Sequence, residues 1–258
     1  MRLPILYLLG PSFLAFLLGG CDGSLHPIQR ISNPDETDVP SGTETTSETP
    51  TDTNTDTVSD ADSGIADTHF TVGAQAEDYD TSDSKDSNRA WYVITTDSTP
   101  SLVDPDESHA ESANGGAYLE ALPDLLTILD DPNSDGNGLV NDPSRGAEVG
   151  YWVTLETTGR YYVWVRAHPT SSRDNALHVG IDGDWPESGR DIQYPDYHDQ
   201  GWVWSSNQRD TGGTKFGNPL TIYLDVETTG RHLITFAMRE DGFEFDEWIM
   251  TTDPNLEP

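Results

Sequence analysis

The sequence predicts an all-β fold, a β-sandwich, over residues 69–258, and three observations carry that expectation. The first is an internal echo: the stretch Val153–Val165 (VTLETTGRYYVWV) resembles Leu224–Phe236 (LDVETTGRHLITF). Each copy reads as strand, turn, strand, a hairpin of two antiparallel strands whose turn glycines, Gly159 and Gly230, are free to take positive φ. The second is period-two alternation, with Leu177, Val179 and Ile181 spaced by His178 and Gly180, and Leu220, Ile222, Leu224 and Val226 spaced by Thr221, Tyr223 and Asp225. The third is turn punctuation at Asn114–Gly116, Asp182–Gly183 and Gly212–Gly213, with no segment showing a long helical period.

Taken in chain order, the first element is a leader. Arg2 precedes an apolar run from Ile5 to Leu18, marked by Pro4 just before it and Pro11 within it, which is too short and too proline-marked for a comfortable membrane span. Leu18-Gly19-Gly20-Cys21 then resembles the lipobox of bacterial lipoproteins. That resemblance implies removal of residues 1–20 and acylation of Cys21, the sole cysteine, as the first residue of the mature chain. Acyl chains contribute about 0.8 kcal/mol per buried CH2, so several would give a stable anchor. An ordinary secretion signal with an incidental cysteine is the alternative. With one cysteine, disulfides cannot stabilise the fold.

Residues 21–68 read as a tether. From Asp35 to Thr68 there are ten acidic residues, ten threonines and no lysine or arginine. Such a segment cannot offset its ordering entropy by apolar burial. The stretch 22–68 would reach about 40 Å as a coil and about 145 Å fully extended. Past His69 the composition changes: all seven tryptophans and nine of the ten tyrosines lie there, enough for one sizeable core. The net charge of −33, with two lysines in all, excludes a nucleic-acid partner, since phosphate backbones demand clustered lysine and arginine.

Within the domain, Asp124 to Leu129 is the best short helix, with Asp124 as its cap. The next segment places Asp131, Asn133 and Asp135 at positions one, three and five, Gly136 at six, Asn137 at seven and Asp142 at twelve, the spacing by which a short loop wraps calcium. Gly138 and the short Asp142 depart from the usual pattern, and the same residues also build solvated turns. Trp152 and Trp164 fall inside strands and read as core. Segments 130–147 and 184–218 exceed ordinary connections, and loops of that size are usually functional or mobile. The second holds Tyr194, Tyr197, Trp202 and Trp204; the last two would face the same way in an extended segment, a paired platform for the C–H faces of sugar rings.

Several pieces in order then resemble a known family: Ala76-Glu77-Asp78-Tyr79, Gly116-Ala117-Tyr118-Leu119, Gly159–Arg166, Val179–Gly183, Gly201–Trp204 and Met238–Asp246. The order is similar to the galactose-binding-like jelly-roll sandwich of family-6 and family-35 carbohydrate-binding modules, and to the C-terminal module of family-115 glycoside hydrolases. The resemblance implies a structural calcium ion that pins the first strand to the last through Glu77 and Asp246. Gln75 stands where those modules commonly have glutamate; its neutral amide oxygen can still serve calcium. It further implies a glycan contact at Tyr118. Arg166, Asp174, Asn175, His178, Arg239 and Asp241 are candidate polar contacts beside Trp202 and Trp204, with salt bridges the alternative use of the arginines.

No Gly-x-Ser-x-Gly elbow, His-Glu-x-x-His pair or phosphate loop occurs, and 46 acidic residues make carboxylate pairs uninformative. The expected protein is therefore a non-catalytic lipoprotein, membrane-bound through its lipid alone at the bacterial cell envelope. Its sandwich would bind polysaccharide or glycan and hold calcium. A sandwich that has lost its sugar site and serves structure or protein interaction, and a hydrolase or lyase, are the alternatives.

Overall fold

The computed structural model describes residues 69–194, 201–209 and 220–258. The leader, Cys21, the tether, Tyr197 and most of the tip of segment 184–218 lie outside the described residues. Twelve strands are described: β1 (Thr71–Gln75), β2 (Thr81–Asp83), β3 (Ala90–Thr95), β4 (Ala117–Leu122), β5 (Glu148–Leu155), β6 (Gly159–Ala167), β7 (Ala176–Ile181), β8 (Ile192–Gln193), β9 (Val203–Ser205), β10 (Tyr223–Val226), β11 (Gly230–Met238) and β12 (Glu244–Thr251). The only helices among the described residues are single 3-10 turns.

The strands form two antiparallel sheets, the all-β sandwich expected. One is ordered β10-β6-β12-β4-β3, with β1 added on β12 and β9 on β6; the other is β2-β5-β11-β7-β8. Between them lies a core of alternating side chains, in which Tyr151, Phe236, Phe245 and Trp248 meet edge-on or tilted at centroid distances of 4.9 to 6.4 Å. Each such buried side chain contributes roughly 1.5–3 kcal/mol of transfer free energy.

The two echo copies are strand–turn–strand units, but not hairpins. β5 belongs to the smaller sheet and β6 to the larger, and β10 and β11 divide the same way. Each Glu-Thr-Thr-Gly turn is thus an arch across the sandwich. Gly159 and Gly230 take φ of 123° and 128°, which a side chain would resist. The copies pair with each other reciprocally: Val226 stands opposite Gly159, and Gly230 opposite Leu155. A local two-fold relation therefore explains the repeat better than duplication of one hairpin. Sequence periodicity could not separate the two because a hairpin and an arch have the same pattern of apolar residues.

Two further expectations are corrected. Asp124–Leu129 is irregular, with Leu126 at φ 58°, and the Asp124 carboxylate accepts from Leu126 N–H at 2.6 Å. That local bond competes with a helix too short to nucleate alone. Trp152 faces solvent at 36% exposure, its ring covered by the Arg231 guanidinium at 4.3 Å, whereas Trp164 is buried as expected.

Candidate functional site

Alternation along β4 and β12 divides their side chains between two environments. Leu119, Ala121 and Phe245 enter the inter-sheet core, while Tyr118 and Leu122 form a second small cluster with Ile94 and Ala110 on the outer face of the larger sheet. Trp202 and Ala113 pack against that cluster. At this face an open depression of about 640 Å³ is lined by Asp106, Glu107, His109, His168, Pro169, Thr170 and Gly201.

Trp202 stands beside it, half-buried. Its ring meets Tyr118 at 5.3 Å and His168 at 5.3 Å, both edge-on, and its indole N–H donates to Ser112 Oγ at 3.2 Å. The Arg166 guanidinium lies 5.6 Å from the same ring. Val203 packs toward the core, which leaves Trp202 and Trp204 on the outer side of β9, and Trp204 pairs with Arg166 across β6 and β9. The structure thus brings Tyr118, Arg166, Trp202 and Trp204 into one region. Tyr118 is fully buried and presents no face to a ligand; it supports Trp202 from below.

The remaining polar candidates are used internally. His178 Nδ1 accepts from Asp191 N–H at 3.1 Å, so its Nε2 donates to Val140 O at 2.9 Å, and burial pushes this imidazole down to about 4. Asp174 accepts from Thr170 Oγ1 and Ser171 N–H, and Asn175 N–H donates to Glu240. Arg239 pairs with Asp191 at 2.8 Å and Glu240 at 3.1 Å, and Asp241 with Arg89 at 2.8 Å. All five are buried, so none of them offers a donor or acceptor at the surface of the platform.

Beneath the depression lie groups that spacing did not mark. Glu244 of β12 stands opposite Glu120 of β4, and both side chains are buried. Burial first, then Glu244 and Asp104, push Glu120 up to about 10; burial and Asp106 push Glu244 up as well. Burial and its hydrogen bond to Asp106 raise Asp104 to about 6. His109 and His168 stack at 3.7 Å over Glu244, and burial together with His109 lowers His168 to about 4. These residues are scattered from position 104 to position 244, and no local motif could have collected them.

The first calcium set does assemble in part. A bulge in β12 between Phe245 and Glu247 re-aims Asp246, which accepts from Asn114 N–H at 3.1 Å and pairs with Arg166. Gln75 Nε2 donates to Glu247 at 3.0 Å, leaving Gln75 Oε1 buried without a hydrogen-bond partner; Glu77 Oε2 is in the same state. A Cβ at Gly115, where φ is 72°, would stand 3.6 Å from Glu77 Oε1 and 4.0 Å from Gln75 Oε1. Burial first, then Asp78, Asp246 and Glu247, raise Glu77 to about 7. These oxygens suit a hard cation in their chemistry.

The second set does not gather. Asp131 accepts from Ser87, Asn88 and its own Asn133 N–H, while Asn133 Nδ2 donates to Lys85 O. Asp135 accepts from Asn141 N–H and pairs with Arg145; Asn137 accepts from Leu139 N–H, and Asp142 from Ser144. Backbone N–H groups, the Ser87 and Ser144 hydroxyls and Arg145 take the carboxylate oxygens that the spacing assigned to an ion.

The buried acids set a pH trend. Above pH 6.5, Glu77 and Glu240, each raised to about 7, and Glu120, raised to about 10, keep protons in the folded chain that the unfolded chain has released. Stability therefore falls as pH rises through that window. The lowered histidines act below it, where stability is lost as pH falls from 6.5 toward 4. Thermal melting in EDTA is expected to show a midpoint that declines steadily from about pH 6.5 to pH 9; a flat or rising midpoint contradicts the burial of these groups.

No family profile matches the chain. A protein of Formosa agariphila designated P23, whose function is uncharacterised, is 44% identical over 171 residues, which is 66% of this chain and 41% of that protein. The chain thus spans about two fifths of that relative's length. Among solved structures, a CBM35 from Paenibacillus barcinonensis aligns with a TM-score of 0.38 at 14% identity, over 70% of this chain and 98% of that one. A family 35 carbohydrate binding module from Clostridium thermocellum gives 0.36 at 13%, over 70% and 97%. The Podospora anserina GH26-CBM35 β-(1,4)-mannanase gives 0.39 at 13%, over 73% and 29%.

Proposed function

We propose that this chain is a non-catalytic glycan-binding sandwich, tethered to a bacterial cell envelope through acylated Cys21 by its acidic segment. The observation that carries the reading is Trp202: a half-buried indole held by Tyr118 and His168 beside an open polar depression, with Arg166 and Trp204 near it. Flat aromatic faces bind pyranose rings, and the rigid sheet below keeps the ring from collapsing inward. The test is retardation of the full-length chain in gels containing polysaccharides, including uronate-rich and sulfated ones. Retardation by at least one supports the reading, and retardation by none removes it.

Calcium at Gln75, Glu77 and Asp246 is part of the proposal, and its role there is structural. It would join the β1 end, the turn at Asn114 and the β12 bulge, binding the first and last strands together. A ligand at 100 times its Kd stabilises by about 2.7 kcal/mol. Calcium is therefore expected to raise the melting midpoint of the wild type by several degrees, on the order of 5–10 °C, and to leave Glu77→Ala unmoved. An equal rise in both would place the ion elsewhere.

One observation favours a catalytic reading: Glu120 and Glu244 are adjacent buried carboxyls, one raised to about 10, beneath the depression. Release of reducing ends from a retarding polysaccharide, lost in Glu244→Gln, would favour it over simple binding.

A further inference from the structure

We infer that His109, His168 and Glu244 form a binding site for one divalent transition-metal ion of the zinc class, open on its remaining side to the depression. His109 Nδ1 lies 2.8 and 2.9 Å from the two Glu244 oxygens, and His168 Nδ1 lies 3.4 Å from Oε2. One donor atom from each residue falls within 4.8 Å of the others. Donors around a tetrahedral ion with bonds of about 2.0–2.2 Å stand roughly 3.3–3.6 Å apart, so the separations suit an ion once one imidazole turns out of the stack and both in-plane lone pairs converge. Because the two rings stack at 18°, both Nδ1 edges address the same carboxylate.

A second observation points to a ligand. His168 Nδ1 is buried and makes no hydrogen bond, although it is aimed at Glu244. A buried ring nitrogen left in this state costs free energy that a metal bond would recover.

The charge balance points the same way. Glu120 and Glu244 are each 1% exposed, and Asp104 and Asp106 adjoin them. Among the described residues, no lysine or arginine ion pair reaches these four acids; the groups within ion-pair distance of Glu244 are the two histidines, and Tyr118 hydrogen-bonds it. A dication would replace the proton that otherwise neutralises Glu244 in this buried setting. Two imidazole nitrogens select zinc or a neighbouring transition metal over calcium, which takes oxygen. The depression lined by Asp106, Thr170 and Gly201 leaves room for water or a ligand atom in the fourth position. The ion would fasten the segment before β4 to the end of β6 and to β12. Binding displaces the proton that Glu244 shares with His109, so one proton leaves as one ion enters.

This site shares no donor with the calcium set and stands whether or not a glycan binds. Its test is calorimetric titration of the full-length chain with zinc chloride after treatment with EDTA, in excess calcium. One zinc per chain, with micromolar or tighter affinity, is expected. Glu77→Gln is expected to keep that affinity, while His109→Ala, His168→Ala and Glu244→Gln each lose at least about 100-fold, like loss of a primary metal ligand. His168→Gln guards against misfolding: near-ultraviolet circular dichroism should match wild type while the tetrahedral absorption of the cobalt-loaded protein disappears. Absence of zinc binding by the wild type, or unchanged affinity in the histidine variants, overturns the assignment.

Discussion

Arg89→Met is expected to lower stability by about 3–5 kcal/mol, the cost of removing one partner from a buried ion pair. Arg89 is buried immediately before β3 and donates to Asp241 from Nε and Nη2, to both oxygens of Asp130, and to Thr127 O. Asp241 is itself 1% exposed and receives Leu125 N–H at 3.0 Å. Without the guanidinium, Asp241 would remain as an unpaired buried charge, and the irregular segment from Leu125 to Asp130 would lose its main attachment to the sandwich. Urea unfolding of wild type and variant at pH 7.5 measures this directly; a loss under 1 kcal/mol would show that the network contributes little. A double variant that also replaces Asp241 by asparagine should recover part of the loss, because the stranded charge goes with it.

Glu120→Gln is expected to stabilise the chain at pH 8 and to change little near pH 5. The carboxyl of Glu120, raised to about 10, must hold a proton at pH 8 in the folded state that it gives up on unfolding. At 1.36 kcal/mol per pKa unit the cost is on the order of 5 kcal/mol at pH 8, and it vanishes below the unfolded value near 4.5. Glutamine keeps the shape and carries no proton to lose. Melting curves in EDTA at the two pH values check the claim, and equal midpoints for wild type and variant at pH 8 would contradict it.

How much of this was legible in the sequence depends on whether the information was local. The period-two runs and turn glycines marked β7, β10 and the arches, because strand alternation and positive φ impose residue types one or two positions apart. What those signals lack is partner identity, so they do not distinguish an arch from a hairpin or tell which face of β5 carries Trp152 to solvent. Trp202 and Trp204 are legible from their two-residue spacing, Arg166 from its chemistry and Tyr118 from the family resemblance, and the structure brings the four into one region; Tyr118 is a support because the segment before β4 covers the outer face of its strand. The loop at Asp131–Asp142 has oxygen side chains at calcium-binding spacing, yet its aspartates are engaged by N–H groups, serine hydroxyls and Arg145. His109, His168, Glu120 and Glu244 were invisible because their only relation is three-dimensional, created by the β4–β12 pairing and the end of β6. A run of acids in a chain with 46 of them carries almost no information.

The most direct test of the binding surface compares Trp202→Ala with Trp152→Ala in retardation by a polysaccharide that slows the wild-type chain. Both residues show part of an indole to solvent, but Trp152 lies on the other sheet, under Arg231. Truncation of an aromatic anchor at the centre of a binding site costs about 2 kcal/mol or more, a loss of roughly 30-fold in affinity. Loss of retardation in Trp202→Ala with wild-type behaviour in Trp152→Ala is the predicted result. Undiminished retardation of Trp202→Ala, or equal weakening of both, would contradict a glycan site on the outer face of the larger sheet.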